Sequence, residues 1–290
     1  MLSLLIWLPV IGAALLFVLP EKYVRFGALT VSGLSLLWTA WLFTQYDMVN
    51  LGYQFTEHLT WLPALGLDYT LGLDGLGLLM LGLNTFLSWI AIYTTSINIE
   101  RPKLFYALML VVNSAVSGAF LAQNFLLFFL FYEVELVPLY MLISIWGGEK
   151  RGYAATKFLL YTALSGALIL AGGLGIVWLG EASSFDYITL TKVTLPVSYQ
   201  VLLLVPLLFG FGIKIPLIPL HTWLPDTYVE ASTPVAILLG GVLAKLGTNR
   251  CDRLRLESQI LLKEPLQPFV PSQSIFRLAQ SARTPSKRGT

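Results

Sequence analysis

The sequence predicts an all-α fold, a polytopic bundle of membrane-spanning helices. Three observations predict it. Of 290 residues, 56% are hydrophobic and only 12% are charged, about half the charge of an ordinary soluble domain. The apolar residues gather in runs of about 20, the length needed to cross a bilayer. The runs are continuous and Leu-rich rather than alternating, so they read as helices and not as strands of a closed barrel. Mean hydropathy is +0.75. Such a chain cannot cover itself with polar surface and takes lipid or a partner as its solvent. This excludes a soluble enzyme, a disordered chain and a nucleic-acid binder, although the pI is near 8.6. The single cysteine, Cys251, excludes an internal disulfide framework and a cysteine-based metal or iron–sulfur site in this chain.

Eight spans are expected, near 2–20, 24–43, 75–95, 104–122, 125–146, 158–180, 200–220 and 229–248. The first has no positive leading segment and no clear small-residue cleavage site before Pro20, so it reads as a retained span. Trp146 and Trp178 sit near the ends of spans, where amphipathic rings favour the interface. Gly166, Gly172, Gly173 and Gly175 in the sixth span suit close helix–helix contact. The loops after spans one, three and five carry Lys22 and Arg25, Arg101 and Lys103, and Lys150, Arg151 and Lys157. The loops after spans two and four carry no Lys or Arg, and the loop after span six carries only Lys192. This alternation places the N-terminus on the non-cytoplasmic side.

Charge is unevenly distributed. Residues 1–248 hold 10 Lys/Arg and 13 Asp/Glu, whereas residues 249–290 hold 8 and 3. The basic pI therefore comes from the last 42 residues, a Pro-, Ser- and Arg-bearing segment that reads as a disordered polar tail.

Ionisable groups at membrane depth are costly and mark ion or proton paths. Glu133 lies about 12 Å into span five, and Lys214 lies near the middle of span seven. A buried structural ion pair and a protonatable pair in a water-lined path both fit these two. A carboxylate and an amine that approach and separate exchange protons as their distance changes, and lysine suits this because its pKa moves readily on burial. Glu135 is about 200° from Glu133 on a regular helix, so the two carboxylates are expected to face different surroundings. Span seven is interrupted by Pro206, Gly210, Gly212, Pro216 and Pro219, and discontinuous helices are where transporters place ion sites. His221 follows the break and fits either a packed or capping residue or a relay. Lys245, late in span eight, fits either a lysine snorkelling to the interface or a path residue.

The runs FYEVELVPLYMLISIWG, FGIKIPLIPLHTWLPDTYVEASTP and LLGGVLAKLGT resemble chain 4 of the proton-pumping NADH dehydrogenases (complex I), and more narrowly the NdhD-type subunit of the photosynthetic NDH-1 complex. The resemblance covers residues 1–248. It implies an antiporter-like half with a discontinuous seventh helix, and a subunit without cofactors of its own. On that reading NAD(P)H or ferredoxin, iron–sulfur clusters and a quinone act on other subunits. The implied partners are the other membrane subunits of that arm and the lipid bilayer of a cyanobacterial or plastid thylakoid or a bacterial inner membrane. Motif matching places Glu133, Lys214 and Lys245 on the family's helix-five, helix-seven and helix-eight ionisable residues, with His221 as a candidate relay.

The domains implied are 1–123, comprising helices one to three and helix four of the first repeat, 124–248, comprising the rest of that repeat, and the tail 249–290. After Thr248 the sequence departs from the family pattern; a frameshift, premature stop or mis-annotated gene end is the favoured expectation, and a signal or basic recognition tail the alternative. The polypeptide as written would then hold one half-channel and would not pump. A cation/proton antiporter subunit is the runner-up, and a non-functional membrane fragment the third reading.

Overall fold

The computed structural model describes residues 1–49, 52–62, 65–182, 184–190 and 193–243, with no side-chain description for Ile188, Val242 and Leu243. The expected first four spans appear as α1 (Ser3–Val18), α2 (Glu21–Gln45), α3 (Gly75–Thr94) and α4 (Pro102–Leu121). Asp74 caps α3 by accepting the Gly77 N–H at 2.9 Å, and Pro102 starts α4 where a missing N–H costs nothing. Fifteen of the 20 residues of α4 are buried. It is the central post, packed against α1, α2 and α3 on one side.

The fifth span is two helices, α5 (Phe125–Val134) and α6 (Leu136–Trp146). Pro138 has no N–H to give the Val134 carbonyl, and its ring crowds that carbonyl, so the helix parts at Glu135 rather than running continuously. Next come the long α7 (Arg151–Leu179), the single turn α8 (Tyr187–Leu190) and α9 (Val197–Lys214). The glycines of α7 serve close contact as expected. A Cβ on Gly172 would strike Leu207 of α9, one on Gly175 would strike Leu203, and one on Gly173 would strike Phe125.

The seventh span is discontinuous, but its bounds differ from the sequence reading. The helix α9 passes through Pro206 unbroken and stops at Lys214, because Pro216 and Pro219 cannot continue the ladder. A turn region then leads into α10 (Trp223–Glu230), which completes the crossing. The eighth span therefore opens at Thr233, not near 229, with α11 (Thr233–Leu238) and a π-helical turn, Leu239–Leu243. Lys245, the rest of span eight and the tail 249–290 lie outside the described residues.

One element was not expected. Between α2 and α3, β1 (Gln54–Leu62) and β2 (Leu67–Leu73) form an antiparallel hairpin, pairing Glu57 with Leu71 and Leu59 with Tyr69. It lies across one end of the bundle: Gln123 donates to the Thr70 carbonyl at 2.8 Å, and Phe125 to that of Phe185 at 2.9 Å. At the opposite end Lys103 reaches the Phe17 carbonyl at 3.0 Å, Arg25 that of Tyr93 at 2.8 Å, and Gly148 donates to Glu230 at 2.8 Å. Every described Lys and Arg except Lys214 belongs to this basic face, as the loop alternation predicts. Outward positions such as Leu37, Leu160, Trp178 and Phe209 are large and apolar, so the bundle is an integral, multi-pass membrane protein.

Candidate functional site

The site forms where the two broken spans meet. Lys214 is the last residue of α9, and its side chain is only 1% exposed. Its Nζ lies 2.9 Å from Oε1 of Glu135, itself 1% exposed, and 3.6 Å from the centre of the Tyr132 ring. Glu135 sits midway along the 22 residues from Phe125 to Trp146, so this pair lies about 15 Å from either end of its span. The lysine charge is held by one carboxylate and one aromatic face, a desolvated arrangement in which both contacts gain strength.

The direct contact of Lys214 is thus with Glu135 and not with Glu133, the carboxylate singled out in the sequence. Glu135 keeps helical backbone angles at the α5–α6 joint, φ −66° and ψ −24°, and it is Glu135, not Glu133, that makes the close contact with the lysine. Glu133 instead lies against Gly166 of α7, where a Cβ would overlap its carboxylate. Its Oε1 has no hydrogen-bond partner among the described residues. Both carboxylates act electrostatically on Lys214, so they share one site after all.

The surrounding chain explains why the lysine stays in place. Ser165 of α7 donates to the Gly210 carbonyl of α9 at 2.6 Å, and a Cβ on Gly210 would crowd the Ser165 carbonyl at 3.0 Å. Beyond Lys214, Trp223 Nε1 donates to the Ile213 carbonyl at 2.8 Å, occupying an acceptor that the interrupted helix leaves open. His221 lies in the turn between α9 and α10, half-buried, with Nδ1 unpartnered among the described residues.

From there polar groups line the α7–α10 contact toward the basic face. Tyr161 and Thr222 share a hydrogen bond at 2.9 Å. Lys157 meets Asp226 at 2.7 Å, and Glu230 accepts from the Lys150 N–H at 2.8 Å. A cavity of about 270 Å³ opens among Lys150, Tyr153, Asp226 and Glu230. Sequence reasoning named Glu135 and Gly166 without bringing either to the Lys214 site, and it did not single out Tyr132 or the Lys157–Asp226 pair.

Comparison with known proteins narrows the family. A family profile described as "NADH:quinone oxidoreductase/Mrp antiporter, TM" matches residues 122–261, which include the whole of this site. A relative from Synechococcus sp. (strain JA-2-3B'a(2-13)), NAD(P)H-quinone oxidoreductase chain 4 1, is 44% identical over 280 residues, 95% of this chain and 52% of the relative. This chain belongs to that family, as a chain 4-type membrane subunit. A second relative, NAD(P)H-quinone oxidoreductase chain 4-3 of Nostoc sp. (strain PCC 7120 / SAG 25.82 / UTEX 2576), is 43% identical over 263 residues, 88% of this chain and 46% of the relative. The chain thus spans about half the length of the curated relatives it matches. Among solved structures, a chain of respiratory complex I from Thermus thermophilus with bound NADH superposes with a TM-score of 0.76 at 29% identity, over 89% of this chain and 53% of that one. A chain of the membrane-bound sulfane sulfur reductase, an archaeal respiratory membrane complex, gives 0.73 at 20% identity over 89% of this chain and 40% of that one, a likeness of fold alone.

Proposed function

We propose that this chain is a proton-translocating part of the membrane arm of a quinone reductase, and that Lys214 and Glu133 carry the proton. The observation that supports this most directly is a fully buried lysine at one helix break, paired to a carboxylate at another. A lysine buried in this way has no stabilising role that an apolar side chain could not fill. Two adjacent breaks let the pair separate with little loss of helix. In the closed arrangement Glu135 holds the ammonium. When the α5–α6 joint or the end of α9 moves, Lys214 loses that partner, and its proton is released more readily. Glu133, with an unpartnered oxygen close by, is the group free to accept it. His221 and the Tyr161–Thr222 and Lys157–Asp226 contacts line a route from the basic face to Lys214. Lys245 lies outside the described residues and stays in the proposal on motif matching alone.

On this reading NAD(P)H or ferredoxin, iron–sulfur clusters and a quinone are handled by other subunits, and movement reaches this chain through neighbouring membrane subunits. The cyanobacterial relatives favour a thylakoid or bacterial inner membrane. The test uses the full-length protein within its complex, with electron flow and proton release measured together. Lys214→Met and Glu133→Gln are each expected to lower protons moved per electron while quinone reduction is still driven. An unchanged ratio in both variants overturns the assignment. Sodium-dependent proton flux without any electron donor would instead support the cation/proton antiporter reading.

A further inference from the structure

A second polar region lies among α2, α3 and α4, away from Lys214 and before the span matched by the family profile. Nine polar residues are at most 3% exposed there: Ser32, Ser35 and Thr39 on α2, Asn84, Thr85 and Ser88 on α3, and Asn113, Ser114 and Ser117 on α4. Several need no outside partner. The hydroxyls of Ser32, Ser35, Thr39, Thr85 and Ser117 donate to carbonyls one turn back on their own helices. Ser114 donates to the Ile6 carbonyl of α1 at 2.6 Å, in the stretch that Pro9 interrupts.

The centre is different. Asn84 Nδ2 donates to Asn113 Oδ1 at 2.9 Å and to Ser117 Oγ at 3.0 Å. This joins α3 to α4 at mid-depth, and helix–helix adhesion accounts for those bonds. It does not account for what is left over. Asn84 Oδ1, Asn113 Nδ2 and Ser88 Oγ, all fully buried, have no hydrogen-bond partner among the described residues. One is an acceptor, one a donor and one both, a set that water completes and apolar packing does not.

The unpartnered groups also have a direction. Ser88 is one turn, about 6 Å, nearer the basic face than Asn84. About 10 Å from Asn113 toward the same face lies Tyr106, whose buried hydroxyl is unpartnered, as is Arg25 Nε beside it. Toward the hairpin the buried positions of these helices turn apolar, with Leu42, Leu78, Leu81 and Phe120 all at most 2% exposed.

We propose that α2, α3 and α4 enclose a water-binding site, centred on Asn84, Ser88 and Asn113, that is reached from the basic face past Arg25 and Tyr106 and closed toward the hairpin by leucines. Among the described residues it holds no carboxylate or amine at mid-depth. It therefore binds water without storing a proton, and it is a separate hydrated region from the one around Lys214.

Silver ion, close to water in size and reactive with thiolates, is the probe. Cysteine reporters are placed one at a time in the chain in its native membrane, with Cys251→Ser removing the natural thiol. Thiolates form only where water reaches. Ser88→Cys and Ser117→Cys, both near-isosteric, are expected to react at least about 100-fold faster than Leu81→Cys, with Ser88→Cys the faster of the two. Adding Asn84→Leu with Asn113→Leu is expected to slow Ser88→Cys at least about tenfold. Reaction of both serine positions at the Leu81→Cys rate overturns the proposal. So does a rate at Ser88→Cys that the paired leucines leave unchanged, since access would then owe nothing to the amides.

Discussion

Glu135→Gln is the sharpest perturbation of the site. It keeps size and shape and removes only the charge that faces Lys214. At 2.9 Å, and with an effective dielectric of about 20, the attraction between the two charges is roughly 6 kcal/mol. Part of that offsets the desolvation of both groups. What is lost on breaking one side of a buried pair is about 3–5 kcal/mol, because the remaining charge has no water to turn to. Both side chains are 1% exposed, so the value belongs at the buried end and not with surface pairs. Glu133→Gln should behave differently. Its Oε1 has no bond to lose among the described residues, so destabilisation should stay within about 1 kcal/mol. Thermal unfolding of the detergent-solubilised complex and subunit abundance in the membrane measure both. Glu135→Gln is expected to lower stability and abundance strongly, and Glu135→Gln with Lys214→Met to recover most of the loss. Glu133→Gln is expected to leave abundance intact while lowering protons moved per electron. Equal stability of the two single variants would refute the assignment of Glu135 as the lysine's resting partner.

Other outcomes follow from the same geometry. Gly166→Ala places a Cβ on the Glu133 carboxylate, so it should lower proton transfer with little loss of assembled subunit, as read by the proton-to-electron ratio at matched abundance. Asp226→Asn removes a partly exposed pair with Lys157 and should leave overall stability nearly unchanged, because water screens such a pair. It should still raise cysteine labelling at Thr222→Cys, because α10 loses one of its ties to α7. At the hairpin, burial pushes the Glu57 carboxyl up. Hydrogen bonds from the Met1 amine, the Ser3 hydroxyl and the Leu2 and Ser3 N–H groups outweigh this and hold it below its ordinary 4.5. A lowered carboxylate pKa stabilises the fold above the ordinary value, and the contribution is lost as pH falls through the folded value. This latch on α1 should therefore persist down to pH 4.5 and fail only below it, as seen in hydrogen exchange of the first turn of α1 corrected for intrinsic rate. Glu57→Gln should remove that dependence.

Much of the bundle was legible in residues alone. Run length sets a span wherever the solvent is lipid, so the bounds expected for α3 and α4 fall within two residues of those observed. Loop charge sorted the two faces because translocation acts on Lys and Arg locally. The hairpin was not visible to that reasoning. Its strands are too short to be spans, and their pairing is a long-range property. His221 was placed at a break by Pro216 and Pro219, which act within a turn.

The sequence by itself determined the fold class, the alternation of faces, the interrupted seventh span and the burial of Lys214. Each follows from local composition and from proline's missing donor. Only the tertiary structure decided which carboxylate the lysine meets. That choice depends on how α5 and α6 pack against α7, on the room Gly166 leaves for Glu133, and on the contact of α9 with α7. Tertiary packing also decided that the small polar residues of α2, α3 and α4 face one another. One-dimensional hydropathy cannot register this, because each of those helices is apolar on average and its polar residues matter only through the neighbours they meet.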